Sequence, residues 1–126
     1  MKKSILFIAM IALTLTMAAC GDNNNNGGSG SAAEATNESS AEDLKLVATN
    51  WAFDQEEYVI EAGQPINFSL ENAEGFHTYE IKGLGIDIAE GKDQQYKINE
   101  PGEYDIVCST MCGAGHDDMT AKLIVE

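Results

Sequence analysis

The sequence contains no arginine, and its basic residues are few. All 7 residues counted as Lys or Arg are lysines, against 21 Asp and Glu, and Lys2 and Lys3 stand at the extreme N-terminus. Without those two the balance is 5 against 21, a formal charge of −16. Such a chain repels polyanions, so binding to nucleic acid or to anionic lipid head groups is excluded, whereas a basic protein would be attracted.

Imidazole and thioether groups are also scarce, and beyond residue 20 most of them lie near the C-terminus. The chain has 2 histidines, His77 and His116, and beyond residue 20 its only methionines are Met111 and Met119. The sequence also lacks a Ser/His/Asp set, a phosphate-binding glycine loop and an evident general base beside an open ligand position. We therefore expect no catalysis by the isolated chain.

The first 19 residues predict a signal peptide. Lys2 and Lys3 precede an apolar stretch over residues 5–19, which is shorter than the roughly 20 residues that span a bilayer. The tetrapeptide 17–20, Met-Ala-Ala-Cys, resembles the lipobox of bacterial lipoproteins. That resemblance implies lipid attachment at Cys20, which would hold the protein on the outer face of the bacterial cytoplasmic membrane.

A polar segment separates this leader from the rest of the chain. Residues 20–43 are rich in Gly, Ser, Asn and Glu and poor in bulky apolar residues. Such a composition cannot bury a core, so we expect a disordered linker over 20–43. One small folded domain over residues 44–126 follows from this division, near the lower end of the usual domain size.

Alternating apolar and polar side chains predict a domain built of β-strands. Ile66, Phe68 and Leu70 show the period of a half-buried strand, and glycine-containing turn signals separate the runs. No helical pattern of useful length follows the leader. Several short strands at this spacing favour a β-sandwich or barrel. The predicted strands cover residues 44–49, 58–61, 66–70, 77–81, 94–98, 104–108 and 121–125.

The most distinctive motif lies between the last two predicted strands. Cys108, Cys112, His116 and Met119 have the spacing C-x-x-x-C-x-x-x-H-x-x-M. Thiolates, an imidazole and a thioether are soft ligands that select copper or zinc rather than magnesium or calcium. The motif therefore predicts a metal site, with His77 from a separate strand as a further candidate.

Two other interpretations of the cysteines exist. An exported chain could join Cys108 and Cys112 in a disulfide, but this leaves the spacing of His116 and Met119 unexplained. Zinc is a second choice, although structural zinc sites use four Cys or His ligands without Met. Met111 is interpreted as a packing or exposed apolar residue, and Trp51 as a core residue of the first strands.

One histidine in mid-domain and a late loop with Cys, His and Met is the layout of cupredoxins. The segment from Pro101 to Met119 and the tripeptide 75–77, Gly-Phe-His, resemble the copper A domain of cytochrome c oxidase subunit II. The resemblance implies a cupredoxin-like Greek-key β-sandwich and a dinuclear copper site with two bridging thiolates. The implied ligands are His77, Cys108, Thr110 through its backbone carbonyl, Cys112, His116 and Met119.

The resemblance implies electron transfer from a cytochrome c to a haem–copper oxidase subunit I or a related respiratory reductase. The chain departs from most subunits II in carrying Thr110 where many have Glu, and in the predicted lipid anchor in place of a membrane-spanning N-terminal segment. The alternative is an extracytoplasmic copper chaperone or copper-buffering lipoprotein. Copper-delivery proteins with C-x-x-x-C, however, are thioredoxin-like, longer, and place their histidine far downstream.

Overall fold

The structure, a computed structural model, describes residues 32–126. This part of the chain folds into ten β-strands and one short 3-10 helix, His116–Asp118. The strands are β1 (Ala33–Ala35), β2 (Glu42–Thr49), β3 (Ala52–Phe53), β4 (Glu57–Ile60), β5 (Pro65–Asn72), β6 (Thr78–Ile81), β7 (Ile86–Ala89), β8 (Gln94–Ile98), β9 (Gly102–Cys108) and β10 (Thr120–Val125).

The strands form two five-stranded sheets. One has the order β1-β8-β5-β2-β3 and the other β4-β10-β9-β6-β7. Most neighbours are antiparallel, but β2 runs parallel to β5 and β4 parallel to β10, so the chain crosses repeatedly between the sheets. The prediction of an all-β sandwich is confirmed. Within residues 32–126 no helix is long and apolar enough to cross a membrane.

The core fills the space between the sheets, because each strand turns alternate apolar side chains inward. Phe53 of one sheet meets Tyr79 of the other edge to face, with ring centroids 6.2 Å apart. The largest fully buried side chains are Tyr58, Tyr79, Phe68, Leu46, Ile66, Ile81, Ile86, Ile88, Ile98, Ile106, Met119 and Leu123.

Asp54 links the two sheets and fixes the β2–β3 hairpin. One of its carboxylate oxygens, Oδ1, accepts the backbone N–H of Val47 at 2.8 Å and the hydroxyl of Tyr58 at 2.7 Å. Burial and the hydrogen bond to Asp54 raise the pKa of Tyr58, so its hydroxyl remains a donor. The tip of this hairpin, which carries Trp51, is therefore held firmly.

Four strand ends meet at one end of the sandwich. In the antiparallel register Tyr79 lies opposite Cys108 and Val107 opposite Thr120. The start of β6, the end of β9 and the start of β10 are therefore neighbours, and β5 ends at Asn72 just before the loop that leads into β6. This arrangement brings the two parts of the predicted metal site together.

The assignment of residues 20–43 to a disordered linker was wrong for its described part. β1 pairs with β8, with Ala33 opposite Ile98, and β2 begins at Glu42 rather than at residue 44. Backbone pairing and burial of Ala33 against the core order a segment whose composition is polar. The predicted signal peptide and the predicted lipidation at Cys20 fall on residues outside the described part of the chain.

Candidate metal centre

His77 is fully buried directly before β6, and Asn72 holds its backbone on both sides. The Asn72 Oδ1 atom accepts the N–H of His77 at 3.0 Å, and Asn72 Nδ2 donates to the His77 carbonyl at 3.2 Å. Asn72 itself is linked to Glu90, whose carboxylate accepts the Asn72 backbone N–H at 3.1 Å. The last residue of β5 thus closes the loop 73–76 and fixes where His77 enters the site.

The imidazole of His77 is oriented for ligation through Nδ1. Its Nε2 atom lies 3.0 Å from the backbone carbonyl oxygen of Glu74. A carbonyl only accepts, so Nε2 carries the hydrogen and Nδ1 keeps a free lone pair. Nδ1 lies 3.9 Å from Cys108 Sγ. A hydrogen bond on the remote ring nitrogen is the usual support of a metal-binding histidine.

The two cysteines of the loop are free thiols that face each other. Their sulfur atoms are 3.4 Å apart, with Cys108 buried and Cys112 half-buried. The Cys108 thiol also donates to the backbone carbonyl of Thr110 at 3.0 Å. Because that carbonyl already faces a sulfur, the structure brings Thr110 to the site through its backbone, as the resemblance implies.

His116 reaches the other sulfur. It begins the 3-10 helix, and its Nδ1 atom lies 3.6 Å from Cys112 Sγ. The ligand atoms of His77, Cys108 and Cys112 all lie within 4.8 Å of one another, whereas His116 falls outside this group. Each imidazole is therefore paired with a different thiol.

These separations fit metal coordination. With bonds of about 2.3 Å to sulfur and about 2.0 Å to nitrogen at tetrahedral angles, a sulfur and a nitrogen on one metal lie about 3.5 Å apart. The two observed sulfur–nitrogen distances are 3.9 Å and 3.6 Å. Burial, then the hydrogen bond and charge of Cys108, raise the pKa of the Cys112 thiol to about 11. A metal must therefore displace protons when it binds.

Met119 follows the 3-10 helix and is fully buried. Its backbone carbonyl accepts the N–H of Cys108 at 3.2 Å, so the residue is joined to the end of β9. The structure thus places Met119 beside the cysteine loop, and ligation by its sulfur stays a prediction.

Trp51 is not a core residue, and its interpretation as one was wrong. It is 42% exposed and has a positive φ of 70° at the tip of the β2–β3 hairpin. Its Nε1–H donates to the Cys112 carbonyl at 3.4 Å. Its indole lies over Gly113 and Gly115, where a Cβ on Gly115 would approach Trp51 Cγ to 2.3 Å.

The sequence patterns missed the contributions of Trp51 and Asn72. Trp51 is 61 residues from the Cys112 carbonyl that it contacts. The Asn72 contact is more local, since the residue stands five positions before His77. A polar residue closing an apolar strand just before a glycine-containing loop was the one available signal for Asn72.

Comparisons with known proteins agree with this fold. Residues 6–125 match the family described as cupredoxin-like domain. A segment of 68 residues is 29% identical to cytochrome c oxidase subunit 2 of Thermus thermophilus, covering 51% of this chain and 50% of the relative. A second subunit 2 sequence from that species is covered over 40% of its length. The chain thus spans half or less of these relatives.

Solved structures show the same architecture. One chain of a haem–copper terminal oxidase dimer, determined by electron cryo-microscopy, aligns with a TM-score of 0.54 and 27% identity, covering 69% of this chain and 66% of that one. The periplasmic domain of subunit II of cytochrome oxidase from Bradyrhizobium japonicum aligns with a TM-score of 0.55 at 16% identity, covering 67% and 83%. The second likeness shows the fold alone.

Proposed function

Because the chain belongs to the cupredoxin-like family and is similar to cytochrome c oxidase subunit II, we propose that it is a copper electron carrier with a dinuclear copper A centre. The observation that carries this proposal is the pairing of each imidazole with a different thiol. His77 Nδ1 faces Cys108 at 3.9 Å, and His116 Nδ1 faces Cys112 at 3.6 Å. These groups would hold two coppers, with one histidine for each and both thiolates shared.

The remaining ligands complete the two coordination shells. The Thr110 carbonyl, which accepts the Cys108 thiol at 3.0 Å, would be a further ligand. Met119, buried beside the end of β9, would supply a weak thioether ligand to copper. Bound copper supplies one-electron redox chemistry. With both thiolates shared, the charge change would be spread over two metals and each bond would shift little.

The protein contributes a rigid and partly dry site. Asn72 fixes the backbone of His77, and the Glu74 carbonyl fixes its ring. Trp51 packs over Gly113 and Gly115 and covers the outer side of the ligand loop. A site preorganised in this way changes shape little during electron transfer, which lowers the energy needed for reorganisation.

We further propose the partners and the location. A basic cytochrome c would donate the electron, since the chain is acidic and has no arginine. A haem–copper oxidase subunit I or a related respiratory reductase would accept it, in line with the relatives' names. Lipid on Cys20 would hold the protein on the outer face of the bacterial cytoplasmic membrane.

Copper delivery is the competing function. In its thioredoxin-like form it conflicts with the fold, because residues 32–126 form a two-sheet sandwich without an α-helix. A copper-delivering cupredoxin would bind copper but would not need to exchange electrons with a cytochrome. Electron exchange therefore separates the two functions.

The test mixes the copper-loaded full chain with a reduced basic cytochrome c and follows cytochrome oxidation by stopped-flow absorbance. The proposal predicts second-order oxidation by the parent chain. It predicts none by Cys112→Ser, because a hydroxyl is a hard, poor substitute for a bridging thiolate. A parent chain that loads copper but leaves the cytochrome reduced would contradict electron transfer and favour copper handling.

A further inference from the structure

A line of hydroxyl groups connects the ligand loop to the strand beside His77. The Thr78 hydroxyl oxygen lies 2.6 Å from Thr110 Oγ1 and 2.6 Å from Ser109 Oγ. Ser109 Oγ in turn donates to a carboxylate oxygen of Asp87 on β7 at 3.0 Å. The backbone carbonyl of Thr78 also accepts the backbone N–H of Ser109 at 3.0 Å. One residue of β6 thus contacts two of the three residues between the cysteines.

The direction of these hydrogen bonds follows from counting protons. An ionised carboxylate only accepts, so Ser109 uses its single hydroxyl hydrogen on Asp87. Thr78 must then donate to Ser109, and Thr110 must donate to Thr78. The hydrogen bonds therefore run in one direction, from Thr110 to Thr78 to Ser109 to Asp87. Every hydroxyl hydrogen of the three residues is used. A network without a competing arrangement holds its members in one geometry.

This network has a consequence for the metal site. Thr78 follows His77 directly in the chain, and the carbonyl of Thr110 accepts the Cys108 thiol at 3.0 Å. We propose that Thr78 is a positioning residue: its hydroxyl sets the Thr110 carbonyl and the cysteine loop against His77. This inference rests on the proposed copper centre for its effect on metal binding, but the positioning itself concerns the metal-free protein as well.

Two measurements test the role of Thr78 in the full chain. The first is copper affinity, by competition with a chelator, together with the optical spectrum of the loaded protein. Loss of a supporting residue outside the ligand set costs about 10-fold to 100-fold in metal affinity. We expect Thr78→Val to weaken copper binding about tenfold and to change the spectrum, and Thr78→Ser to restore both.

The second measurement is the alkylation rate of the two thiols in metal-free protein at fixed pH. Removing the hydroxyl loosens the loop, so we expect Thr78→Val to react about three- to tenfold faster, the equivalent of one net hydrogen bond. Thr110→Val removes the bond between Thr110 and Thr78 from its other end. It replaces Thr78→Val as the test variant if Thr78→Val does not fold. The double variant is expected to match Thr78→Val, since the one bond that Thr110→Val breaks is among the two that Thr78→Val breaks.

Thr36→Val is the matched control, because Thr36 makes a hydroxyl bond to Glu38, at 3.3 Å, in the segment after β1. It should leave copper affinity, spectrum and alkylation rate at parent values. Equal effects of Thr36→Val and Thr78→Val, no effect of Thr78→Val, or no rescue by Thr78→Ser would each overturn the inference. Failure of the parent to bind copper would instead refute the proposed function, and the alkylation rates would still decide the role of Thr78.

Discussion

At the scale of single residues, the contact between Trp51 and Gly115 leaves no spare room. A Cβ on Gly115 would lie 2.3 Å from Trp51 Cγ and 2.5 Å from Trp51 Cβ. The backbone of Gly115 has an ordinary φ of −97°, so glycine is needed here for space rather than for conformation. Side-chain packing across 64 positions of sequence thus determines one residue of the ligand loop.

We expect Gly115→Ala to destabilise the protein by about 1–3 kcal/mol, as overpacking does, because Trp51 must move. Denaturant unfolding of the metal-free protein measures this loss. The control is the same change in a Trp51→Ala chain, where the indole is absent and the added methyl group finds space. A penalty of equal size in both backgrounds would show that the contact with Trp51 is not its cause.

The sequence identifies candidate ligands that the structure brings together, whereas it does not identify the residues that support them. Short, regular spacing of metal-ligand residue types identifies Cys108, Cys112 and His116 as candidates. Thr78 and Trp51 belong to no ligand motif, and their contacts arise only when distant strands meet at one end of the sandwich. Spacing along the chain holds no information on such contacts.

At the scale of secondary-structure elements, strands with clear alternation of apolar and polar residues were predicted correctly. The seven predicted strands correspond to β2, β4, β5, β6, β8, β9 and β10. β1 and β3 were not predicted, because they are three and two residues long and follow polar or turn-like sequence. β7 was not predicted either. Ile86 and Ile88 alternate with other residues there, but glycines at 85 and 91 lie on either side of a strand of only four residues.

The element that matters most for the site is the loop 73–76 between β5 and β6. Asn72 closes it through two hydrogen bonds to the backbone of His77, at 3.0 Å and 3.2 Å. Gly75 has a positive φ of 74°, and a Cβ there would lie 2.8 Å from His77 Nε2. The loop is thus built to bring a backbone carbonyl and the buried imidazole close together.

We expect Asn72→Ala to lower the free energy of unfolding by about 1–3 kcal/mol, because it leaves a partly buried backbone N–H and a carbonyl without their partners. Copper affinity should fall as well, by about tenfold, since His77 loses its fixed position. The measurements are denaturant unfolding and chelator competition.

Asn67→Ala provides the matched control for this change. Asn67 lies on the same strand and donates to Asp43 Oδ1 at 2.9 Å in an exposed position. Exposed bonds of this kind contribute little, so both quantities should stay near parent values. Asn67→Ala and Asn72→Ala with equal losses of copper affinity would contradict the assigned role of Asn72.

At the scale of the whole molecule, exposed apolar side chains and acidic residues occur together near the candidate metal centre. Within residues 32–126, three of the four exposed large apolar side chains are Trp51, Phe76 and Met111, with exposed fractions of 42%, 66% and 78%. Trp51 packs on the ligand loop, Phe76 precedes His77, and Met111 lies between the two cysteines. Asp117 and Asp118 are exposed directly after His116. A partner that reaches the site therefore meets both apolar contact and negative charge.

The rate of electron transfer from a basic cytochrome c should fall steeply as salt rises. Charges act mainly on association, and at 0.1 M ionic strength they are screened beyond about 10 Å. Second-order rate constants across a salt series measure the effect. A rate that is indifferent to salt would eliminate electrostatic steering and leave the apolar surface of Trp51, Phe76 and Met111 as the recognition surface.

We propose that the protein holds a dinuclear copper centre in which both thiolates would bridge two metals. Metal analysis and electron paramagnetic resonance of the copper-loaded full chain test it most directly. We predict two coppers per chain and one unpaired electron whose hyperfine splitting comes from both nuclei, because Cys108 and Cys112 lie 3.4 Å apart with one imidazole beside each. One copper per chain, with splitting from a single nucleus, would contradict it.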